Sequence, residues 1–128
     1  MPHAIMLAFT QPTSPESDEA FNDWYSNKHI RDLVTIPGVI AATRYAIAHD
    51  VETLPGVGGP EQKYLAIYEI EGETEADLEA FAETLRNALA DGTADISTHL
   101  DMTKLGASLC LPLTERLART AQAETSPA

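Results

Sequence analysis

"FNDWYSNKHIRDLVTIPGVIAATRYAI", Phe21 to Ile47, reads as a helix that stops at "IPG" and turns into a strand. Phe21, Trp24, Tyr25, Ile30, Leu33 and Val34 recur at three- and four-residue spacings, the period of a helix with one apolar face. Proline cannot continue the hydrogen-bond ladder, so Pro37 closes the helix. From Val39 to His49, "VIAATRYAIAH" is rich in residues that suit a pleated surface. The apolar helix face needs a sheet to cover it, and the flanking segments supply one.

On the N-terminal side, "HAIMLAFT" alternates Ile5, Leu7 and Phe9 with Ala4, Met6 and Ala8, so both faces are apolar. This predicts a central strand covered on both sides. "QPTSPES" follows with two prolines and two candidate N-caps, Ser14 and Ser17. Glu16, Asp18 and Glu19 stand where the helix dipole favours anions. On the C-terminal side, the Gly- and Pro-rich "DVETLPGVGGPEQ" connects to a partner strand, "KYLAIYEIEG". "TEAD", Thr74 to Asp77, resembles a capping box, and Leu78, Phe81, Leu85 and Leu89 continue one helical stripe up to Asp91 and Gly92. Beyond an irregular stretch from Thr93 to Lys104, "LGASLCLPL" alternates as a final strand.

The order βαββαβ predicts an α+β, ferredoxin-like fold: a four-stranded antiparallel sheet with two helices on one face. The other face is left bare. Met6, Ala42, Tyr45, Tyr64 and Tyr68 are expected there, and so broad an apolar patch predicts a homodimer through the sheet face. Residues 1–113 form the single domain, and residues 114–128 an extension. Its "TERLART" is read as a short helix touching the neighbouring subunit, and its "AQAETSPA" as disordered.

The composition narrows the partners. Eight Lys and Arg against twenty Asp and Glu give a net charge of -12, a field that repels nucleic acid and anionic lipid surfaces. "MPHAIMLAFTQPTSP" has no basic leader, and Thr10 and Gln11 break its apolar run well short of a membrane span, so a soluble cytoplasmic protein is expected. The single cysteine, Cys110, cannot form an internal disulfide and reads as a small apolar side chain. His3, His49 and His99 are scattered without ligand spacing, so no metal is expected. "PGVGGP" joins two strands and lacks the helix start and the Lys of a phosphate cradle, so no nucleotide cofactor is expected. No G-x-S-x-G turn marks a serine hydrolase.

"FNDWYSNKHI", followed by "IPGVIAATRY" and later by "YLAIYEIEG", resembles the EthD-like branch of the dimeric α/β-barrel superfamily over residues 3 to 113. The most specific part is the aromatic pair and His on the first helix, then "PG" and "RY" at the second strand. The resemblance implies a ferredoxin-like subunit whose sheet joins that of a second subunit, with a small apolar pocket in each subunit between sheet and helices. The wider superfamily includes cofactor-free monooxygenases of aromatic polyketides, polyketide cyclases, muconolactone-type isomerases, and dehydratases or decarboxylases. Fold does not choose among these activities.

Within this frame Tyr25 and His29, four residues apart on one helix, project from nearly the same face and can meet one substrate. His29 is the first candidate for a general acid or base, because imidazole titrates near neutral pH. Its competing reading is a helix C-terminal residue set against the dipole; the resemblance, which matches a His at this position, favours a functional role. Asp32 either orients His29 or is an exposed helix carboxylate. The Tyr25 phenol suits a substrate oxygen. Trp24 reads chiefly as a packing residue, kept among those beside the substrate.

Arg44 and Tyr45 alternate to opposite faces of their strand. Arg44 is either matched with a carboxylate such as Glu69 or placed to hold an anionic substrate. Tyr64 and Tyr68 form a pocket wall or cover the sheet. Ile5, Leu7, Phe21, Ile67 and Phe81 are expected to line the pocket and exclude water. The leading expectation is a cofactor-independent lyase or isomerase that moves a proton on a small apolar carbonyl or phenolic metabolite. The alternatives are a cofactor-free monooxygenase of an aromatic substrate and a non-catalytic small-molecule-binding or accessory protein.

Overall fold

A computed structural model of the chain describes residues 3–120. Its sheet has four strands, β1 (Ala4–Thr10), β2 (Val39–Ala46), β3 (Tyr64–Ile70) and β4 (Gly106–Cys110), in the order β2-β3-β1-β4. Each neighbouring pair is antiparallel. Between β1 and β2 the chain makes helix α1 (Asp18–Trp24), a π-helical segment (Tyr25–His29) and helix α2 (Ile30–Leu33) without a break; α3 (Glu75–Ala90) joins β3 to β4. This is the expected ferredoxin-like plan.

Local chemistry accounts for the ends. The Thr74 side chain accepts from Asp77 N at 3.2 Å, while the Asp77 carboxylate accepts from Thr74 N at 3.0 Å and Glu73 N at 2.8 Å. Three backbone donors are thereby satisfied, and those of Glu73 and Thr74 hold the Asp77 carboxyl below its usual range. At the first helix neither Ser14 nor Ser17 caps the backbone; their hydroxyls pair with each other at 3.1 Å around a 3₁₀ turn, Pro15–Ser17. The strand expected to run on to Leu113 ends at Cys110. Its ladder on β1 spans only Phe9↔Gly106 to Ile5↔Cys110, which leaves Leu111 and Leu113 exposed.

Except for Tyr45, which lies on the open face as expected, the residues of the two sheet faces are the reverse of the expected ones. Met6 pairs across from Tyr68, Ala8 from Ala66 and Ala42 from Tyr68, and these residues lie under the helices in one core with Phe21, Tyr25 and Phe81. Ile5, Leu7, Phe9, Leu65 and Ile67 occupy the open face, together with Tyr45. Alternation alone cannot choose between two apolar faces of β1. Size chooses: Ala4, Ala8, Ala42 and Ala66 leave room for the bulky helix side chains, whereas Ile5, Leu7 and Ile67 would hold the helices off. A bulge between Val39 and Ala41 sets the alternation that places Arg44 under the helices and Tyr45 on the open face.

No helix forms over residues 114–120, where Leu117 is exposed, in contrast to the short helix expected of "TERLART". The expected disorder of "AQAETSPA" lies outside the described residues. Among the described residues no helix is long and apolar enough to cross a membrane.

Gly38, with φ +100°, makes the turn into β2 in which Val39 N donates to Ile36 O, and a Cβ there would stand 3.0 Å from Phe81 Cδ1. Gly38→Ala is therefore expected to lower stability by about 1–3 kcal/mol, from backbone strain and a core clash together. Urea unfolding should show a lower midpoint at an unchanged slope.

Candidate functional site

In a regular α-helix Trp24 and His29 would point about 140° apart, at about 3.6 residues per turn. Here Ile30 N donates to Tyr25 O, five residues back, so one turn is wide enough to hold an extra residue. The Trp24 and His29 rings are thereby stacked, with centroids 4.5 Å apart and planes at 26°. Tyr25 meets the His29 ring edge-on at 4.9 Å, and Phe21 meets Tyr25 in the same way at 5.8 Å. The helix thus presents a cluster of four rings to the sheet. Nothing in "YSNKH" announces a widened turn, which is why Trp24 reads in sequence as a packing residue alone.

The sheet completes the cluster from below. Tyr68 is fully buried, and its Oη lies 2.6 Å from Tyr25 Oη. Burial pushes both phenols up, most strongly Tyr68, so the pair is neutral at cellular pH. Arg44 reaches across from the edge strand β2: Nη1 donates to Ser26 Oγ at 2.7 Å and Nη2 to Asn22 Oδ1 at 3.0 Å. Its guanidinium lies over Tyr25 at 4.3 Å, Tyr64 at 5.3 Å and Phe21 at 5.7 Å. Glu69, the carboxylate expected to match it, faces the other side of the sheet. Asn22 is held in turn by donating to Tyr64 Oη at 3.0 Å, and Tyr64 donates to Asp18 at 2.5 Å.

His29 is buried in mid-helix, not at a helix end, since the helix runs on to Leu33. Burial lowers its pKa to about 4, and the backbone and charge of Asp95 and the charge of Asp32 oppose this only in part. The imidazole is therefore neutral at pH 7, a base and not an acid, and its Nδ1 has no hydrogen-bond partner. Asp32 does not orient it. That carboxylate pairs with Lys28 at 2.9 Å, and Lys28 also holds Asp95 at 2.8 Å. The Trp24 indole N–H is buried and points toward Asp95 without reaching hydrogen-bond geometry.

Of the residues singled out in sequence, Phe21, Trp24, Tyr25, His29, Arg44 and Tyr68 come together. Ile5, Leu7 and Ile67 do not, because they lie on the open sheet face. Phe81 is in the core but packs on Gly38. Asn22, Ser26 and Tyr64 join through Arg44; the spacing of Asn22 and Ser26, one turn apart beside Tyr25, was the signal for the first two. A groove of about 690 Å³ between Ile47 and Pro60 contains none of these side chains.

Two measurements probe the cluster without a substrate. Tyr25→Phe and Tyr68→Phe each leave the other hydroxyl buried and unpaired, and each should cost about 1–3 kcal/mol. The double variant should cost less than the sum, because the two share one hydrogen bond. For His29, the unfolded chain binds a proton near pH 6.5 and the folded chain only near pH 4. As pH falls through that window the wild type should lose about 3 kcal/mol that His29→Gln does not lose, read as the difference between their unfolding midpoints against pH.

The chain matches no protein-family model and no curated protein. Among solved structures it is similar to an ethyl tert-butyl ether D (EthD) family protein from Bacillus halodurans C-125, at 13% identity and a TM-score of 0.52, over 88% of this chain and 100% of that one. It is also similar to a dimeric ferredoxin-like protein from an uncultured marine organism, at 11% identity and a TM-score of 0.51, over 92% and 94% of the two chains. At such identities the likeness carries the fold, and in fold it agrees with the resemblance read from the sequence. The chain has the ferredoxin-like architecture of an EthD family protein.

Proposed function

We propose that this protein is a cofactor-independent lyase or isomerase that transfers a proton on a small, largely apolar carbonyl or phenolic metabolite. The observation that carries the reading is the cluster itself: a neutral, buried imidazole in ring contact with Tyr25, whose hydroxyl meets that of Tyr68. His29 takes a proton from the substrate. Negative charge then develops on the substrate oxygen, where the Tyr25 hydroxyl, released from Tyr68, donates a hydrogen bond. Arg44, over the Tyr25 ring, favours that charge. The imidazolium formed in so buried a place is a strong acid, so it readily returns the proton to a different atom of the substrate. Dehydration, decarboxylation and isomerisation all follow from this exchange.

Substrate is admitted from the β2 edge, where Arg44 and Asn22 are half-buried and Ser26 is exposed. The same proposal places a second copy of the chain on the open sheet face, whose Ile5, Leu7, Phe9, Leu65, Ile67 and Tyr45 are otherwise left to water. A cytoplasmic location belongs with it, supported by a lone cysteine without a disulfide partner.

Wild type and folded His29→Ala should be compared on a mixture of phenolic acids, lactones and enones, with products read by mass spectrometry. A loss of water or carbon dioxide, or an isomer at unchanged mass, is expected, and the variant should be slower by about a hundredfold or more. Unchanged turnover in the variant would remove His29 from the mechanism. A gain of oxygen would replace the lyase reading with a cofactor-free monooxygenase, and binding without turnover would leave a binding protein.

A further inference from the structure

Charge is distributed unevenly between the surface and the cluster. Lys28 and Lys63, which are exposed, and Lys104, which is partly so, all sit beside carboxylates. Arg44 is more buried than any of them, yet among the described residues no carboxylate is ion-paired with it. This happens in a chain that carries twenty acidic residues. The nearest acidic side chain in its network, Asp18, is already engaged by Tyr64 Oη at 2.5 Å and by Lys63 at 3.5 Å.

The groups that do meet the guanidinium are neutral. Ser26 and Asn22 accept one hydrogen bond each, and three aromatic rings face it. Ring faces attract a cation, but they do not neutralise it. A guanidinium has five N–H donors in a planar fork, of which two are used here; Nε is buried with no partner. A half-buried, uncompensated cation is costly, and the fork that remains matches the two oxygens of a carboxylate. The place is reachable, because β2 is an edge strand and Ser26 is exposed. It also offers a flat face, since the half-buried Tyr64 ring, backed by Phe21 at 5.8 Å, lies 5.3 Å from the guanidinium.

We infer that Arg44 is a carboxylate-binding residue and that the ligand is a small monocarboxylate borne on a flat, aromatic or conjugated group. The acid lies against Arg44, and its unsaturated body lies along the half-buried Tyr64 ring at the β2 edge. This names the substrate class of the reaction proposed above, and it rests on that reading only for the turnover of the bound acid. The acidity of the rest of the chain sharpens the point. A protein of net charge -12 repels anions in general, so an anion that binds does so at a particular cation.

Calorimetric titration of the full chain with benzoate and cinnamate, and with the methyl ester of each, tests the inference. At least one acid should bind tighter than its ester by about tenfold to a hundredfold, the range for a hydrogen bond to a charged group. Arg44→Gln should abolish the preference. Arg44→Lys, which keeps the charge but not the fork, should retain a reduced one, and it decides the matter if Arg44→Gln does not fold. Acids that bind no better than their esters, or a preference that survives in Arg44→Gln, would overturn the assignment. Acid binding through Arg44 without turnover would support it while overturning the proton-transfer reading. Turnover of neutral enones with no preference for acids would do the reverse.

Discussion

The hydrogen bond from Ile30 N to Tyr25 O sets the geometry on which the candidate site depends. By skipping five residues it turns Trp24 onto His29 and leaves Tyr25 between His29 and the sheet. A regular helix through the same residues would point Trp24 and His29 in different directions, and the ring cluster would not form. The widened turn costs backbone regularity, which ring packing and the buried Tyr25–Tyr68 contact offset. It also explains the state of His29. Held inside the cluster under the Trp24 indole, the imidazole loses water, and the charges of Asp32 and Asp95 offset that loss only in part.

Two kinds of polar group are therefore kept apart. On the outside, Lys28 is shared by Asp32 and Asp95 at the surface, where such pairs contribute little to stability. On the inside, two phenols and an imidazole are neutral, and at the edge of the cluster the half-buried Arg44 is held by the Asn22 amide and the exposed Ser26 hydroxyl. A cluster of that composition stabilises negative charge on something brought to it, because it contains a positive charge and hydrogen-bond donors but no anion of its own.

The sheet makes a second division by size. Alanines at positions 4, 8, 42 and 66 form the floor under the aromatic helix residues, so the rings reach Tyr68 and Arg44 directly. The larger Ile5, Leu7, Phe9 and Ile67 are turned to the other face. Site and open face are thus two sides of the same strands. Any change that slipped the register of β1 by one residue would exchange them.

The order of elements, the end of the first helix ahead of "IPG", the Thr74 capping box and the placing of Tyr25 and His29 on one side of a helix were legible in the sequence. Each depends on local chemistry or on a simple period: proline without an N–H, a threonine able to accept a backbone hydrogen bond, apolar residues every three or four positions. The face of the sheet was not legible, because β1 is apolar on both sides and alternation does not distinguish them. Nor were the partner of Arg44 and the stacking of Trp24 on His29. Those were decided by tertiary structure: helix side chains need small residues beneath them, a bulge at Val39 and Ala41 sets the alternation of β2, and a widened helical turn is stable only where the rings it brings together can be buried.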